Sequence, residues 1–587
     1  MSTSLDYHLS PKNKNFLDFI EDVTTHAYEN QKKVLAEILS QNANVEYLQR
    51  HGLNGQTDSE TFKKLVPIIT YEDIRSDINR IANGDTSSIL TANPVSVFLL
   101  SSGTSGGDRK MIPATEEDFG GRYLIFRLIM PIMDQFFPGL DKGKGMFLTL
   151  MRNESKTAGG IKTSAATTRY YKSSHFLNRS YNPLTSPNET VLCLDSYQSM
   201  YSQLLCGLCQ NNEVLRVGAI FAIVLVQAIR FLEKNWSLLC HDIRTGTINP
   251  LITDISVREA VMKILKSDKN LADFIQSECS KDSWQGIITR LWPNTKYVDV
   301  TVTGTMSQYI PTLDYYCNGL PLVSTIYAAS EGFFGVNLNP LCKPCDVSYT
   351  LIPTTCYYEF LPVNRSNDSL HEKEKQELVD LVDVKLDQEY ELVVTTCSGL
   401  YRYKVGDILK VTGFKNNAPQ FSFVGRKNVV LSIDSDNTDE VELHDAIKNA
   451  VTHLVPYGAD VADYTSYADL RTIPGHYVLY WELNHKGSTT IPDCVYEDCC
   501  ITIEESLNSY YRLCRVSYKS IGPLEIKIVE QGTFDKLMDY AISSGSSINQ
   551  YKTPRCVNFA PGVELLESRV LENYFSPKYP QLDPSHK

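Results

Sequence analysis

A short apolar run followed at once by glycines and hydroxyl side chains constrains this chain more than any other feature. Residues 97–110 read Val-Phe-Leu-Leu-Ser-Ser-Gly-Thr-Ser-Gly-Gly-Asp-Arg-Lys. The apolar part predicts a buried strand at Val97–Leu100, and the part after it predicts a loop. Glycines let the backbone turn its N–H groups toward an anion, while the hydroxyls and the pair Arg109 and Lys110 add donors and charge. Because a buried strand leads into it, we interpret the stretch as a phosphate-binding loop without Walker spacing and not as a flexible linker.

Length, charge and cysteine content narrow the class of protein. At 587 residues the chain exceeds what one hydrophobic core normally supports, so two or more domains are expected. A net charge of −13 without a long basic run argues against nucleic acid and anionic membranes as primary partners. The 15 cysteines at irregular spacing fit reduced thiols of a cytoplasmic protein. The first sixteen residues lack the apolar core of a signal peptide. The most apolar run, Ala219–Leu232, is too short to span a bilayer and is expected to be a buried helix.

Apolar periodicity predicts an α/β core followed by a β-rich segment and a small α+β unit. Helical periodicity is expected within residues 12–50, and a further helix is expected to begin after Thr70 as its N-cap. The other expected helices are Glu116–Phe137, Tyr197–Cys209 and Val214–Leu239. The expected strands are Met146–Leu150, Leu192–Leu194, Tyr297–Thr303, Leu322–Tyr327, Tyr390–Thr396, Ile408–Thr412 and Gln420–Val424, with an exposed insertion at Asn364–Gln376.

After Arg426 helices and strands alternate again. The expected order is helix Asp439–Leu454, strand His476–Glu482, helix Asp498–Arg515, strand Leu524–Glu530 and helix Phe534–Ser543. Polar residues at Ser432–Asp436 interrupt the apolar pattern just before this unit. The sequence therefore predicts a large N-terminal domain of residues 1–433 and a small C-terminal domain of residues 434–587.

Three further segments carry candidate chemistry. Ser324–Gly332 ends in Tyr-Ala-Ala-Ser-Glu-Gly, a turn that could pack a planar base while Glu331 holds magnesium; a helix cap is the alternative. In Leu400–Asp407, a Gly-Asp pair before a strand could present the Asp407 carboxylate to both hydroxyls of a ribose; an ordinary hairpin turn is the alternative. Gln550–Arg555 places Lys552 before a proline, and there the alternative is a solvated surface lysine.

Taken in order, these segments resemble the adenylate-forming superfamily of acyl ligases. Over nearly the whole chain the sequence is more similar to a plant branch, the Gretchen Hagen acyl acid amido synthetases. The motifs that carry the resemblance are Ser-Ser-Gly-Thr-Ser-Gly-Gly at 101–107, Leu-Cys-Gly-Leu at 205–208, Arg-Leu-Trp-Pro-Asn at 290–294, Leu-Pro-Leu-Val-Ser-Thr at 320–325, Tyr-Arg-Tyr-Lys-Val-Gly-Asp at 401–407, Leu-Ser-Ile-Asp-Ser-Asp at 431–436 and Tyr-Lys-Thr-Pro-Arg at 551–555.

The resemblance implies an ATP- and Mg²⁺-dependent ligase that adenylates a carboxylic acid and transfers the acyl group to an amino acid. By carry-over, Glu331 would hold magnesium, Asp407 the ribose, and Lys552 would stabilise the adenylation transition state. Arg426 would lie at the hinge about which the small domain rotates between half-reactions. The residues that would hold phosphate are Ser101, Ser102, Thr104 and Ser105, and those around adenine and the α-phosphate are Thr325, Tyr327, Ala328, Ala329 and Ser330.

The expected acid pocket departs from that of benzoate-using relatives. The resemblance places in its wall Ile125, Phe126, Ile129, Thr167, Val217 and Ile220. Benzoate-using relatives carry an arginine where Ile129 stands, so a larger, more apolar acid such as an indole-alkanoic acid is favoured. Asn437 replaces a lysine common in relatives, which removes one cation. Apolar helix positions can also be plain core.

Three functions stay open at this point. The first is the amido synthetase, expected to be a cytoplasmic monomer acting on a small-molecule acid and an amino acid. The second is an acyl-CoA ligase of the same superfamily, although no basic cluster suits the 3′-phosphate of coenzyme A. The third is a catalytically impaired protein that only binds a hormone acid, an alternative that rests on Asn437.

Overall fold

The computed structural model describes residues 11–105, 108–177, 184–363, 377–426, 429–485, 491–543 and 553–582. The chain divides into two compact units. Unit 1 is Met1–Ser101 with Met111–Arg426, and unit 2 is Ser102–Lys110 with Lys427–Lys587. Within the described ranges, no helix is both long and apolar enough to cross a membrane.

Helices make up much of unit 1. They are α1 (Pro11–Thr25), α2 (Ala27–Gln41), α3 (Glu46–Arg50), α4 (Ser59–Leu65), α5 (Tyr71–Ala82), α6 (Glu116–Phe136), α7 (Ala166–Tyr171), α8 (Ser174–Leu177), α9 (Asn188–Leu192), α10 (Ser196–Cys209), α11 (Ala222–Thr245), α12 (Ile255–Ile264), α13 (Lys269–Cys279), α14 (Ile287–Leu291) and α15 (Ile310–Cys317). Short 3-10 turns lie at Leu140–Lys142, Asn211–Glu213, Gly304–Tyr309, Pro344–Asp346 and Leu381–Asp383.

Three sheets accompany these helices. The strands are β1 (Val97–Ser105), β2 (Asp108–Ala114), β3 (Lys144–Leu148), β4 (Ser155–Lys156), β5 (Lys162–Ser164), β6 (Val214–Phe221), β7 (Tyr297–Thr301), β8 (Leu322–Val323), β9 (Ile326–Ala328), β10 (Phe333–Val336), β11 (Tyr349–Leu351), β12 (Tyr357–Pro362), β13 (Val379–Asp380), β14 (Glu389–Thr395), β15 (Tyr403–Lys415) and β16 (Ala418–Arg426). Their sheet orders are β2-β1-β5-β4, β3-β6-β7-β8 and β13-β12-β14-β15-β16-β11-β10-β9. The end of β1 and the start of β2 fall within Ser102–Lys110, which is grouped with unit 2.

The chain passes from one of these sheets to another at the predicted site. The sheet β3-β6-β7-β8 is parallel throughout, and ligands of such sheets lie beyond the carboxyl ends of the strands. Its last strand, β8, ends at Val323. After the two residues 324–325, β9 begins at Ile326 and forms the edge of the antiparallel eight-stranded sheet. The segment 324–332 therefore leaves one sheet and enters another.

Helix α6 carries several of the predicted acid-pocket residues. It is capped by Thr115, whose hydroxyl accepts from the backbone N–H of Asp118, and acidic residues fill its first turn, where they favour the helix dipole. Pro131 lies inside the helix. The predicted helix over Glu116–Phe137 is confirmed, as is the capping role of Thr70, which forms a capping box with Asp73 at the start of α5.

Several expectations about unit 1 are wrong. Val214–Phe221 is strand β6, because this stretch pairs with β3 and β7, and the helix α11 begins only at Ala222. Leu192 ends the short helix α9 instead of opening a strand. The strand β1 does not stop at Leu100 but runs to Ser105. The predicted insertion at Asn364–Gln376 lies outside the described residues.

Unit 2 contains a four-stranded sheet and a two-stranded one. Its strands are β17 (Val429–Leu431), β18 (Thr438–Asp439), β19 (Ala459–Asp469), β20 (His476–His485), β21 (Glu525–Val529) and β22 (Val570–Phe575), paired as β17-β18 and β19-β20-β21-β22. Its helices are α16 (Glu440–Val451), α17 (Asp493–Ser506), α18 (Ser509–Val516), α19 (Thr533–Ser543) and α20 (Ala560–Glu567), with a 3-10 turn at Val455–Tyr457. The predicted helix over Asp498–Arg515 is two helices, because the Asn508 side chain accepts from the N–H of Tyr511 and caps a new helix.

Candidate active site

A tight turn between β9 and β10 carries the first predicted site carboxylate. The backbone N–H of Ala329 donates to the carbonyl of Gly332 at 2.8 Å, and Glu331 within the turn is almost fully buried. A side chain at Gly332 would place its Cβ 2.5 Å from the ring of Phe334. The turn therefore requires glycine there, and the Glu331 carboxylate is held on a closely packed backbone.

The second carboxylate, Asp407, follows a bulge inside strand β15. Gly406 has φ +88°, and the register between β14 and β15 shifts across this region. The alternative of a hairpin turn at Gly406 is therefore wrong, because the strand continues on both sides. The bulge leaves Asp407 opposite Arg426 of β16, and the Arg426 Nε lies 3.3 Å from Asp407 Oδ1.

Tyr327 joins this pair from strand β9. Its hydroxyl donates to Asp407 Oδ2 at 2.6 Å, and the ring contacts Phe334, Tyr349 and Phe423. Among the residues that the structure describes, Tyr327 thus contacts one oxygen of Asp407 and Arg426 the other. A carboxylate has about four lone-pair sites, so Asp407 can still accept from further hydroxyl groups.

The electrostatics tie Glu331 to the same centre. Burial would lower the pKa of Arg426, but the charges of Asp407 and Glu331 outweigh it and raise that pKa. Burial, followed by the carboxylate of Glu331, raises the pKa of Tyr403 well above its ordinary value. Burial and then Asp407 do the same to the pKa of Tyr327. Glu331, Asp407 and Arg426 with two neutral tyrosines therefore form one buried polar centre in unit 1, able to bind hydroxyl groups or a cation.

The structure describes only some of the other residues predicted to bind the nucleotide. Burial raises the pKa of the Asp299 carboxyl, and the nearby side chain of Thr325 partly counteracts this rise. Ala328 is exposed, and Ser330 is half-buried next to Glu331. Ser101 on β1 is buried. The side chains of Ser102, Thr104 and Ser105, and all of Lys552, lie outside the described residues.

The predicted acid-pocket residues do not form one cluster. Ile125 and Val217 are fully buried, Ile125 in an apolar cluster with Phe333 and Val217 within β6. Phe126 stacks on Tyr170 of α7 with ring centroids 4.1 Å apart, and Thr167 lies one turn earlier on that helix. Ile220 and Tyr170 pack against one cluster, whereas Ile129 packs against another that contains Tyr297 and Val323. Phe126, Tyr170 and Ile220 are thus brought near one another, and Ile129 lies in a neighbouring cluster.

Sequence reasoning missed two arginines near these residues, Arg122, which is buried, and Arg216, which is half-buried. Arg216 of β6 lies 3.7 Å from Asp299 of β7 and donates to the Met130 sulfur on α6. Arg122, on the first half of α6, pairs with Asp118 and contacts the turn that carries Glu331. The signal was present in both cases: an arginine inside the apolar strand 214–221, and an Asp–Arg pair at four-residue spacing on a helix.

The site does not offer a ready-made metal cage. Among the residues that the structure describes, no group of three or more His, Cys, Asp or Glu could hold a metal ion. One buried carboxylate such as Glu331, completed by phosphate oxygens of a substrate, is nevertheless a donor set that suits Mg²⁺.

The fold and the site thus define the class of protein. It is a multidomain α/β protein with a buried centre of two carboxylates and one guanidinium. Three domain models match consecutive parts of this chain: the GH3 family N-terminal domain at residues 16–322, the GH3 family central domain at 349–426 and the GH3 family C-terminal domain at 441–561. The chain belongs to the GH3 family. The family resemblance and the multidomain α/β and α+β fold predicted from the sequence are confirmed.

Named relatives share nearly the full length. The chain is 68% identical over 594 residues to the indole-3-acetic acid-amido synthetase GH3.6 of Arabidopsis thaliana, covering 99% of this chain and 97% of that relative. It is 60% identical over 575 residues to the probable indole-3-acetic acid-amido synthetase GH3.1 of Oryza sativa subsp. japonica, covering 97% and 94%. The solved structure of AtGH3.15 acyl acid amido synthetase in complex with 2,4-DB is 47% identical, with a TM-score of 0.69 over 99% of this chain and 100% of that chain.

Proposed function

We propose that this protein is an ATP-dependent acyl acid amido synthetase that conjugates an auxin-type acid to an amino acid. The proposal rests on the buried centre formed by Tyr327, Glu331, Asp407 and Arg426. These residues come from separate sequence motifs up to 99 residues apart. The chain as a whole is 68% identical to a named amido synthetase. Bringing those motifs together is what a nucleotide site requires.

The reaction has two half-reactions. An oxygen of the acid attacks the α-phosphorus of ATP, the bond to the bridging oxygen breaks, and pyrophosphate leaves. The neutral amine of an amino acid then attacks the activated carbonyl carbon, the bond from that carbon to AMP breaks, and the amine loses a proton to solvent. The products are an amide, AMP and pyrophosphate.

Each member of the buried centre has a role that its contacts support. Asp407 accepts the ribose hydroxyls through lone pairs that Tyr327 and Arg426 leave available, and those two residues fix its orientation. Glu331 would hold Mg²⁺ together with phosphate oxygens, and the ion would shield the phosphate charge. The positive charge of Arg426 compensates the negative charges of the two buried carboxylates.

Further roles come from the family resemblance. Ser101, Ser102, Thr104 and Ser105 hold phosphate, and Thr325 to Ser330 surround adenine and the α-phosphate. Lys552 stabilises the negative charge that builds on phosphorus in the adenylation transition state. The small domain, residues 434–587, rotates about the hinge near Arg426 between half-reactions.

The acid is expected to be an indole-alkanoic acid. Two relatives, 68% and 66% identical to this chain, are named for indole-3-acetic acid. Ile129 gives α6 an apolar side chain where, by the family resemblance, benzoate-using enzymes carry arginine. A larger acid buries more apolar surface, which should strengthen its binding by roughly 25 cal/mol for each Å² buried. We expect the protein to act as a monomer. The 15 free cysteines favour the cytoplasm, because reduced thiols are typical of a reducing compartment.

Pyrophosphate release with a panel of acids tests the reaction and its substrate. We expect an indole-alkanoic acid to give a kcat/KM at least about tenfold above salicylate or benzoate. Mass spectrometry should find a conjugate of acid plus amino acid minus water only when the amino acid is present. A thioester formed with coenzyme A instead would indicate the acyl-CoA ligase, and acid binding without pyrophosphate release would indicate an impaired binding protein.

The substitution I129R tests the acid specificity. It should narrow the gap between the indole acid and salicylate by adding a cation and removing apolar surface. Q135R is the matched control, because Gln135 lies exposed on the same helix. An unchanged ratio in I129R would show that Ile129 does not face the acid.

A further inference from the structure

Arg122 connects the helix of the acid pocket to the turn that carries Glu331. Its Nη2 donates to the carbonyl of Ser330 at 2.9 Å, and its Nη1 lies 3.5 Å from the carbonyl of Ala329. The Arg122 side chain is only 4% exposed. The contacts therefore join residues 207 and 208 positions apart through the interior of unit 1.

The guanidinium is fixed from its own helix as well. Its Nε donates to Asp118 Oδ2 at 2.6 Å, one helical turn earlier, and its plane lies over the ring of Phe333 with the central carbon 5.4 Å from the ring centroid. Burial raises the pKa of Asp118, and the charge of Arg122 only partly counteracts this rise. All three nitrogens of Arg122 thus lie near acceptors, one on its own helix and two on the turn that carries Glu331.

The two ends of this connection belong to different substrates. Phe126 lies four residues after Arg122 on the same face of α6, stacks on Tyr170 and meets Phe333 edge to face at 5.3 Å. Ser330, at the other end, directly precedes Glu331. The helix thus presents acid-pocket side chains while the guanidinium holds the backbone that positions the nucleotide-site carboxylate.

We propose that Arg122, held by Asp118, is a positioning residue that couples the acid pocket to the turn bearing Glu331, so that the acid and ATP strengthen each other's binding. The inference rests on the proposed function, because it requires both substrates to occupy this site. An apolar residue could pack between Phe333 and α6, but only a fork of donors can fix the helix and two carbonyls at once.

Titration of a non-hydrolysable ATP analogue, with a methylene group between the α- and β-phosphorus, measures this coupling. It is carried out with Mg²⁺, with and without indole-3-acetic acid, on the full-length protein. In the wild type the acid should tighten analogue binding about tenfold, within the usual range of coupling between two sites. In R122Q that factor should fall to within about twofold of one, and the adenylation kcat should fall at least about tenfold, while the analogue alone binds within about threefold of wild type.

R122K and R127Q distinguish positioning from simple stability. R122K keeps the charge but reaches fewer acceptors, so it should recover part of the kcat that R122Q loses, even where both melt at the same temperature. R127Q removes an arginine exposed on the same helix and should leave the coupling factor unchanged. Wild-type coupling in R122Q, or no coupling in an active wild type, would overturn the proposal. An inactive wild type on the acid panel would instead contradict the proposed function.

Discussion

Two regions of the molecule bury carboxylates in different ways. In unit 1, Asp407 pairs with the guanidinium of Arg426, and the charge of Glu331 also acts on that guanidinium. In unit 2, Asp436 accepts from the backbone N–H groups of Ile433 and Asp434 and from the hydroxyl of Tyr477. Glu442, also in unit 2, accepts from the backbone N–H of Asn508.

The partners decide how each region responds to pH. Burial raises the pKa of Asp436 to about 6 and that of Glu442 to about 7, because neutral hydrogen-bond donors only partly replace water around a charge. In unit 1 a full positive charge compensates the two carboxylates. Removal of the cation should therefore have the larger effect on stability in unit 1, whereas a change of protonation should have the larger effect in unit 2.

The largest effect is expected from R426Q. It leaves Asp407 and Glu331 buried without a compensating cation, which should lower the free energy of unfolding by about 3–5 kcal/mol and abolish binding of the ATP analogue. Urea titration with the binding assay measures both. K410Q removes a cation from an exposed ion pair with Asp387 and should cost less than about 1 kcal/mol. A similarly small loss in R426Q would show that the carboxylates do not depend on it.

The next effect concerns Glu442 of unit 2. Between its unfolded pKa of 4.5 and its folded value of about 7, the folded state holds a proton that the unfolded state has released. Stability is therefore lost as the pH rises through this window. E442Q removes that dependence, so its free energy of unfolding relative to wild type should improve by about 2–3 kcal/mol between pH 5 and pH 8.

E440Q provides the control for this measurement, because Glu440 is exposed in the first turn of the same helix. It should change stability by the same small amount at both pH values. Parallel pH profiles for wild type and E442Q would contradict the assignment of the titration to Glu442.

The sequence predicted those elements whose signal is local. The helix at 197–209 and the strands around 390–395 and 418–426 follow from periodicity and alternation. Val214–Phe221 could not be assigned in this way, because an apolar run fits a buried strand or a buried helix. The neighbour that decides it, Asp299 of β7, packs against Gly218 from 81 residues away, so close that a Cβ there would lie 2.1 Å from its carbonyl oxygen.

The candidate site follows the same rule. Motif order singled out Glu331, Asp407 and Arg426, and their roles stay predictions, but the register that sets Asp407 opposite Arg426 is a property of paired strands. The hydroxyl of Tyr327 reaches Asp407 across 80 residues, which no spacing rule predicts. The pair of Asp118 and Arg122 could be read from the helix, but its partners in the turn could not.

The smallest effect is expected from Y327F in unit 1. Y327F removes the hydroxyl that donates to Asp407 but leaves Arg426 to compensate the carboxylate. We expect the free energy of unfolding to fall by about 1–2 kcal/mol, less than for R426Q, because a hydrogen bond to a charged group is lost while no charge is left uncompensated. Y349F is the matched control: Tyr349 is buried beside Tyr327, with ring centroids 5.9 Å apart, and its hydroxyl lies 3.2 Å from that of Thr303, a neutral partner. If the Asp407 bond is charge-assisted, Y327F should cost more than Y349F and should also raise the KM for ATP, since Asp407 loses the group that orients it. Equal costs with an unchanged KM would show that Arg426 alone orients Asp407, and the charged centre would then reduce to a single ion pair.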